Sequence, residues 1–219
     1  MEQNTSEWLQ DRAGKINMSR ACDVMAFDPG GELYKSGKKK GTPKPGRVLL
    51  ARTDYIGDIV AEILTGEPKA QVRARPLDWG HDVEDAARAA YEAETGEIVQ
   101  QVAGVTHPMM PYVRCSPDGL IGNDGQLQIK CPSNPANHID ALRNGMPSEH
   151  IPQVQGELFV TGRQWSDFVS FDPRMPVNLR FYRQRIPRDD AYIATLSAAC
   201  ESLWAEVQDY IQYLNKRAA

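Results

Sequence analysis

Asp118, Gln128 and Lys130 are the residues of this 219-residue chain whose types and spacing could do chemistry together. They lie in CSPDGLIGNDGQLQIKCP, residues 115–132. Ser116-Pro117-Asp118-Gly119 reads as a tight turn that sets Asp118 at the head of a short strand, Leu120-Ile121. Asn123-Asp124-Gly125 then reverses the chain with residues that tolerate positive φ, the strongest hairpin signal in the sequence. Side chains alternate in the returning strand, so Gln126, Gln128 and Lys130 face one side while Leu127, Ile129 and Cys131 face the other. One face of the hairpin therefore carries a carboxylate, an amide and an amine, and the opposite face is fit to pack on a core. Pro132 ends the strand.

That pattern resembles a metal-dependent nuclease site of the PD-(D/E)XK type, with Asp118 as the Asp of the Pro-Asp pair, Gln128 at the acidic position and Lys130 as the lysine. The chemistry accounts for the spacing. Two carboxylates on neighbouring strands can share Mg²⁺ ions that clamp a scissile phosphate and activate a water. A lysine two residues after the second carboxylate emerges on the same strand face, where it can orient that water or offset developing charge. This chain has Gln where the pattern has Glu or Asp. An amide matches the shape of a carboxylate but carries no charge and is a poor Mg²⁺ ligand. Either a catalytic Glu was replaced, trapping a complex with substrate, or the protein is a catalytically weak or dead relative. The first reading is favoured because the other family positions are intact.

The elements around the hairpin can be read from patterning. Ser6 predicts the cap of a helix reaching about Gly14, and Ser19 the cap of a second reaching about Phe27. Arg12 and Ser19 are candidate phosphate contacts, a serine at a helix start lying beside free amides; a plain cap is the simpler role for Ser19. Residues 28–46 form a turn-rich basic loop that includes Lys38, Lys39 and Lys40, expected to be mobile until DNA binds. A helix follows from about Arg47 to Leu64, ending at Gly66. Residues 79–96 read as a helix with a narrow face of Val83, Ala86, Ala87 and Ala90. On it Glu84 is either half of an i,i+4 pair with Arg88 or a third acidic group for metal or water. Ile98 to Val105 reads as a strand, Asn137 to Arg143 as a short helix, and Ser148 to Gly162 as another that tolerates Pro152 in its first turn. Gln153 and Gln155 cannot both face the core from that helix, and one or both could reach a phosphate or a metal-bound water. Strands over 165–171 and 178–186 and a long helix capped by Asp189 and Asp190 complete the chain. The helix carries an apolar stripe from Ile193 to Leu214.

Composition fixes the class and excludes several functions. At 219 residues the chain can bury one substantial core without dividing into domains. No apolar run approaches a membrane span and the N-terminus has no basic or apolar leader, so a cytoplasmic protein is expected. The cysteines at 22, 115, 131 and 200 form no CxxC pair, which leaves neither a zinc nor an iron–sulfur signature and predicts reduced, core-facing thiols. Net charge is −4, unlike an average nucleic-acid binder. The lysines of residues 35–47 and the arginines at 180, 183, 185 and 188 nevertheless form two basic clusters.

Taken in order, the motifs resemble the lambda exonuclease, or YqaJ-type viral recombinase, family over nearly the whole chain. Trp8-Leu9-Gln10-Asp11-Arg12 with Ser19 looks like its phosphate-binding segment, and Trp79-Gly80 with Glu84 like its first acidic motif. Ser116-Pro117-Asp118-Gly119 and Gln128-Ile129-Lys130-Cys131-Pro132 are its core motifs. Gln153-Val154-Gln155 and Phe171-Asp172-Pro173-Arg174-Met175 also have counterparts. The resemblance implies a single α/β domain over 1–219, with a restriction-endonuclease-like mixed sheet flanked by helices. It implies an exonuclease that degrades one strand of linear duplex DNA from a 5′-phosphorylated end, leaving 3′ overhangs. Two Mg²⁺ ions, or Mn²⁺ in their place, would be held by Asp118, residue 128, the main-chain oxygen of Ile129, and Glu84. Lys130 would position the attacking water with help from Gln153, while Arg12, Ser19, Ser116 and Gln155 would contact phosphate. A homotrimeric ring, working beside a single-strand annealing protein in phage-type recombination, is the implied assembly. A DNA-end-binding module without catalysis is the alternative; an iron–sulfur helicase-nuclease is disfavoured by the lack of a C-terminal cysteine cluster.

Overall fold

The computed structural model describes residues 3, 5–70 and 75–218. Its first elements are α1 (Ser6–Arg12), β1 (Ile16–Asn17), a 3-10 turn at Met18–Arg20, and α2 (Ala21–Val24). β2 (Phe27–Asp28), β3 (Arg47–Val48), α3 (Leu50–Thr65) and α4 (Arg75–Thr95) follow. Next come β4 (Val99–Gln100), β5 (Val105–Thr106), β6 (Val113–Cys115), β7 (Gly119–Ile121) and β8 (Gly125–Lys130). The chain continues through α5 (Pro135–Asn144), a 3-10 turn at Ser148–His150, α6 (Ile151–Thr161), β9 (Trp165–Phe171), β10 (Phe181–Pro187) and α7 (Asp190–Ala218).

The predicted hairpin is the middle of a five-stranded sheet of order β10-β9-β8-β7-β4. Gly119 pairs with Leu127 and Ile121 with Gly125, antiparallel, while β8 runs parallel to β9 with Gln128 opposite Phe168. Alternation in β8 sorts its side chains as expected. Leu127 and Ile129 are buried beneath α4 with Val83, Ala87, Tyr91, Ile121, Val169 and Phe171. Gln126 and Gln128 point to the other face, against α6. Each fully buried Leu or Ile here contributes about 2 kcal/mol, which ties the register of β8 to the α4 face. Gly122 takes a positive φ in the turn, at 49°, and Gly125 does not. Gly125 is needed for another reason, since the Trp165 indole occupies the space a Cβ would fill.

A second core joins α2, α3, α6 and α7 to β1 and β6 through Ile16, Met18, Ile59, Val113, Leu158, Leu196, Leu203 and Val207. α6 lies between this core and the polar face of the large sheet. Gly156 lets it come close to the turn at Met18–Arg20: a Cβ there would meet the Met18 side chain at 2.6 Å.

Several expected boundaries move. Thr5, not Ser6, caps α1, its hydroxyl accepting from the Trp8 amide. Ser19 caps nothing: it sits inside the 3-10 turn, and the helix after it is only four residues long. Residues 28–46 are not a featureless loop. β2 and β3 pair antiparallel, Leu33 bridges Pro43, and main-chain bonds join Gly31 to Lys44 and Tyr34 to Thr42, so the segment is a long hairpin arm. Its return strand takes Arg47–Val48, which delays α3 to Leu50. Ala86 is exposed, and the packed face of α4 is Val83, Ala87 and Tyr91, since the four-residue step keeps those three in line. Ile98 to Val105 is two short strands in different sheets. Cys22 is exposed and Cys131 half-buried, so only Cys115 and Cys200 are core thiols.

Candidate active site

The Asp118 carboxylate lies where β7 and β8 begin to separate. Its Oδ2 accepts from the Ile129 amide and from Gln128 Nε2, each at 2.6 Å. The Gln128 side chain is 2% exposed and its Oε1 accepts from Gln153 Nε2 at 2.9 Å. Lys130 Nζ donates to Gln153 Oε1 at 3.3 Å. Asp118, Gln128 and Lys130 of the hairpin and Gln153 of α6 therefore form one hydrogen-bonded chain. Ile129 joins it through the main chain alone, its side chain being on the apolar face.

The charges explain the acidities. Burial, then the negative charge of Glu84, push Asp118 up to about 7, against the pull of Lys130 and the Ile129 amide. Glu84 thus stands close enough to oppose Asp118 electrostatically while holding Arg88 at 2.8 Å. The i,i+4 pair with Arg88 is therefore present. Beside Lys130 opens a cavity of about 500 Å³, lined by Pro132, Asp140, His150 and Phe168 among others.

A second cluster assembles around Arg12. Its guanidinium donates to Ser19 Oγ at 3.0 Å and to Ser116 Oγ at 3.4 Å, and lies over the Trp8 ring at 4.2 Å. Burial, then the neighbouring Arg114, lower Arg12 to about 10. A cation surrounded by hydroxyls and pressed by a second cation is an anion-accepting arrangement. Ser19 was read as more simply a cap, yet the short 3-10 turn frees its hydroxyl for Arg12.

Other expected contacts are not brought here. Gln155 is 3% exposed and its amide is committed to the main chain: Nε2 donates to the Pro187 carbonyl and Oε1 accepts from the Asp189 amide. It anchors the start of α7 and is not placed to grip phosphate. Arg183 and Arg185 pair with the fully buried Asp167, Arg188 bonds the Leu158 carbonyl and Asp190, and Arg180 bonds the Met175 carbonyl. That arginine cluster staples β10 to its neighbours, Arg183 and Arg185 sharing one carboxylate while their side chains stay 40% and 48% exposed. Lys38, Lys39 and Lys40 lie exposed at the tip of the arm. Arg174 is held by buried Asp172, reaches the carbonyls of Pro132 and Ser133, and stacks over Trp79 at 4.4 Å. The Asp-Pro-Arg motif thereby fixes the chain just after Lys130.

Sequence reading missed Glu157 and Arg114. Glu157 is 1% exposed and accepts from Gln153 Nε2 at 2.9 Å. Its i+4 spacing from Gln153, the residue already suspected, was the available signal. Arg114 is 1% exposed and pairs with Asp11 at 2.9 Å, with Nε and Nη1 unpartnered. Nothing in a strand pattern marks a buried arginine.

A mixed sheet with this hairpin between α4 and α6, in a single α/β domain, defines a nuclease fold. The match to solved structures agrees. Crystal structures of an alkaline exonuclease, LHK-Exo, from Laribacter hongkongensis, one of them in complex with dAMP, align with a TM-score of 0.82 at 36% identity over 98% of each chain. A phage-related exonuclease from Haemophilus somnus 129PT aligns with a TM-score of 0.64 over 94% of this chain and 96% of that one, and at 14% identity it shares the fold alone. A search of curated proteins gives no significant match. The YqaJ-like viral recombinase domain matches residues 7–164, most of the chain, and the protein belongs to that family.

Proposed function

We propose that this protein is a divalent-metal-dependent exonuclease fold that takes the 5′-phosphorylated end of linear duplex DNA and digests that strand 5′ to 3′. The 3′ overhangs would serve recombination by strand annealing, and Gln128 impairs the chemistry. Family membership and the LHK-Exo match support the nuclease class. The observation that carries the finer reading is the convergence of Asp118, Gln128, Lys130 and Gln153, together with the bonds of Arg12 to Ser19 and to Ser116, two residues before Asp118.

The donor set suits a hard cation in kind. Asp118 and Glu84 are carboxylates whose mutual repulsion a cation would relieve, and Gln128 Oε1 and the Ile129 carbonyl are oxygen donors. It falls short in charge. Among the described residues no three His, Cys, Asp or Glu side chains converge to hold a metal, and a Glu at 128 would supply the third. Mg²⁺ held by Asp118, Glu84, Gln128 and the Ile129 carbonyl would supply charge neutralisation and an acidified water. Arg12, with Ser19 and Ser116, would hold the terminal phosphate and give end polarity. Lys130, steadied by Gln153, would orient water and offset charge at the scissile phosphate.

Comparing the protein with its Gln128→Glu version on linear duplex, 5′-phosphorylated or not, in Mg²⁺ or chelator, tests this. The expected result is strand loss only from the Gln128→Glu protein, only in Mg²⁺ and faster with the 5′ phosphate, while both proteins bind DNA. If neither cuts, an end-binding module without catalysis is the better account.

A further inference from the structure

The geometry points to Glu157 as a positioning residue: we propose that its buried carboxylate sets the direction of the Gln153–Gln128–Asp118 hydrogen-bond chain and so holds Lys130 and the side chain at 128 over Asp118. This rests on the nuclease reading of the site only for its effect on rate, not for the geometry.

The argument comes from which groups can donate. A lysine ammonium only donates and an ionised carboxylate only accepts. Gln153 touches both, with Oε1 toward Lys130 at 3.3 Å and Nε2 toward Glu157 Oε1 at 2.9 Å. Its amide therefore has one satisfied orientation. That orientation turns the same Nε2 toward Gln128 Oε1, which leaves Gln128 Nε2 to donate to Asp118. A hydrogen-bond direction set at Glu157 is thus transmitted through two amides to the central carboxylate.

Glu157 is bounded on both carboxyl oxygens by side-chain amides. Its other oxygen faces Gln126 Nε2 at 3.4 Å, and Gln126 Oε1 is engaged by the Thr161 hydroxyl at 3.0 Å. Both carboxyl oxygens therefore face amide groups, one from α6 and one from β8. Burial, followed by Asp118, pushes the group up to about 8; the Gln153 bond and Lys130 pull it back. The charged groups facing it are Asp118 before β7, Lys130 on β8 and, with a thiol raised partly by Glu157, Cys115 on β6. A carboxyl group kept in so costly a place, bonded to Gln153 of the site and to Gln126 on β8, is poorly explained by packing alone.

The protein with ¹⁵N-labelled glutamine, and its Glu157→Gln and Glu157→Asp variants, give the test. Side-chain amide proton pairs of Gln153 and Gln128 are followed by NMR, and melting by calorimetry. The expected result for Glu157→Gln is displaced Gln153 and Gln128 amide signals at a nearly unchanged melting temperature. In a Gln128→Glu background the same change should lower kcat roughly tenfold or more at constant KM for DNA. Should Glu157→Gln not fold, the shortened Glu157→Asp carboxylate is expected to displace the same signals. Unmoved Gln153 and Gln128 signals in a folded variant would make Glu157 a core residue and end the proposal. If Gln128→Glu never cuts DNA, the nuclease reading fails while the amide signals still decide this one.

Discussion

Gln128 donates to Asp118 where a glutamate could only accept, and that single difference sets the state of the site. The amide neutralises part of the Asp118 charge from within the chain, so the cluster is satisfied by its own residues. Burial, and after it the crowding of carboxylates, raises Asp118 to about 7 and Glu157 to about 8. Both acidities lie above their unfolded values near 4, so across the interval from about pH 4 to about pH 8 the folded state binds more protons than the unfolded chain. The sign follows: this contribution is largest below the unfolded values and is lost as pH rises through 7 and 8. In chelator, the melting temperature is expected to fall by several degrees between about pH 5.5 and about pH 8.5. Glu157→Gln is expected to flatten the decline. Calorimetry across pH measures it, and a melting temperature that rises over this interval would contradict the assigned acidities.

At the scale of elements, the arm formed by residues 27–48 is the feature that propensity alone did not reveal. It contains Gly30, Gly31, Gly37 and Gly41 at positive φ, and above its base the two sides are joined by one bridge and scattered main-chain bonds, so no alternation of apolar residues announces strands. Ion pairs of Arg47 with Asp28 and Lys44 with Glu32 brace it and leave Lys38, Lys39 and Lys40 exposed at the tip. Phosphate contacts made there would release counterions. Replacing the three lysines with alanine should therefore reduce the slope of log K against log salt by about 2 to 3 and weaken duplex binding at low salt. Fluorescence anisotropy over a salt series reads it, and an unchanged slope removes the arm from the DNA path. The contrast with β8 shows what a sequence can disclose. There the two-residue period, the turn and the proline all specify the same strand, and the side chains fall on the faces expected. Gln155 and the arginines of β10 have partners distant in sequence, the Pro187 carbonyl and Asp167. Spacing does not encode those partners.

The whole molecule carries a net charge of −4, yet its charges are segregated. Arginines near the sheet pair with Asp167 and Asp172, while Lys38, Lys39 and Lys40 lie exposed on the arm and Arg12 donates to the Ser19 hydroxyl. If one protomer held DNA by those contacts alone, its grip would weaken with every rise in salt, because each neutralised phosphate adds to the slope. A ring of three copies, the assembly implied by the family resemblance, retains DNA differently, since release requires the duplex to pass out of a closed path. The two modes separate in a chase. The Gln128→Glu protein is loaded on labelled duplex without Mg²⁺, then started with Mg²⁺ and excess unlabelled duplex at increasing salt. Topological retention predicts that the length digested per binding event stays nearly constant while loading falls steeply, and sedimentation should show a single species of three chains. A digested length that falls in parallel with loading, from a monomeric species, would mean that the arm and the Arg12 pocket of a single protomer are the entire grip on DNA.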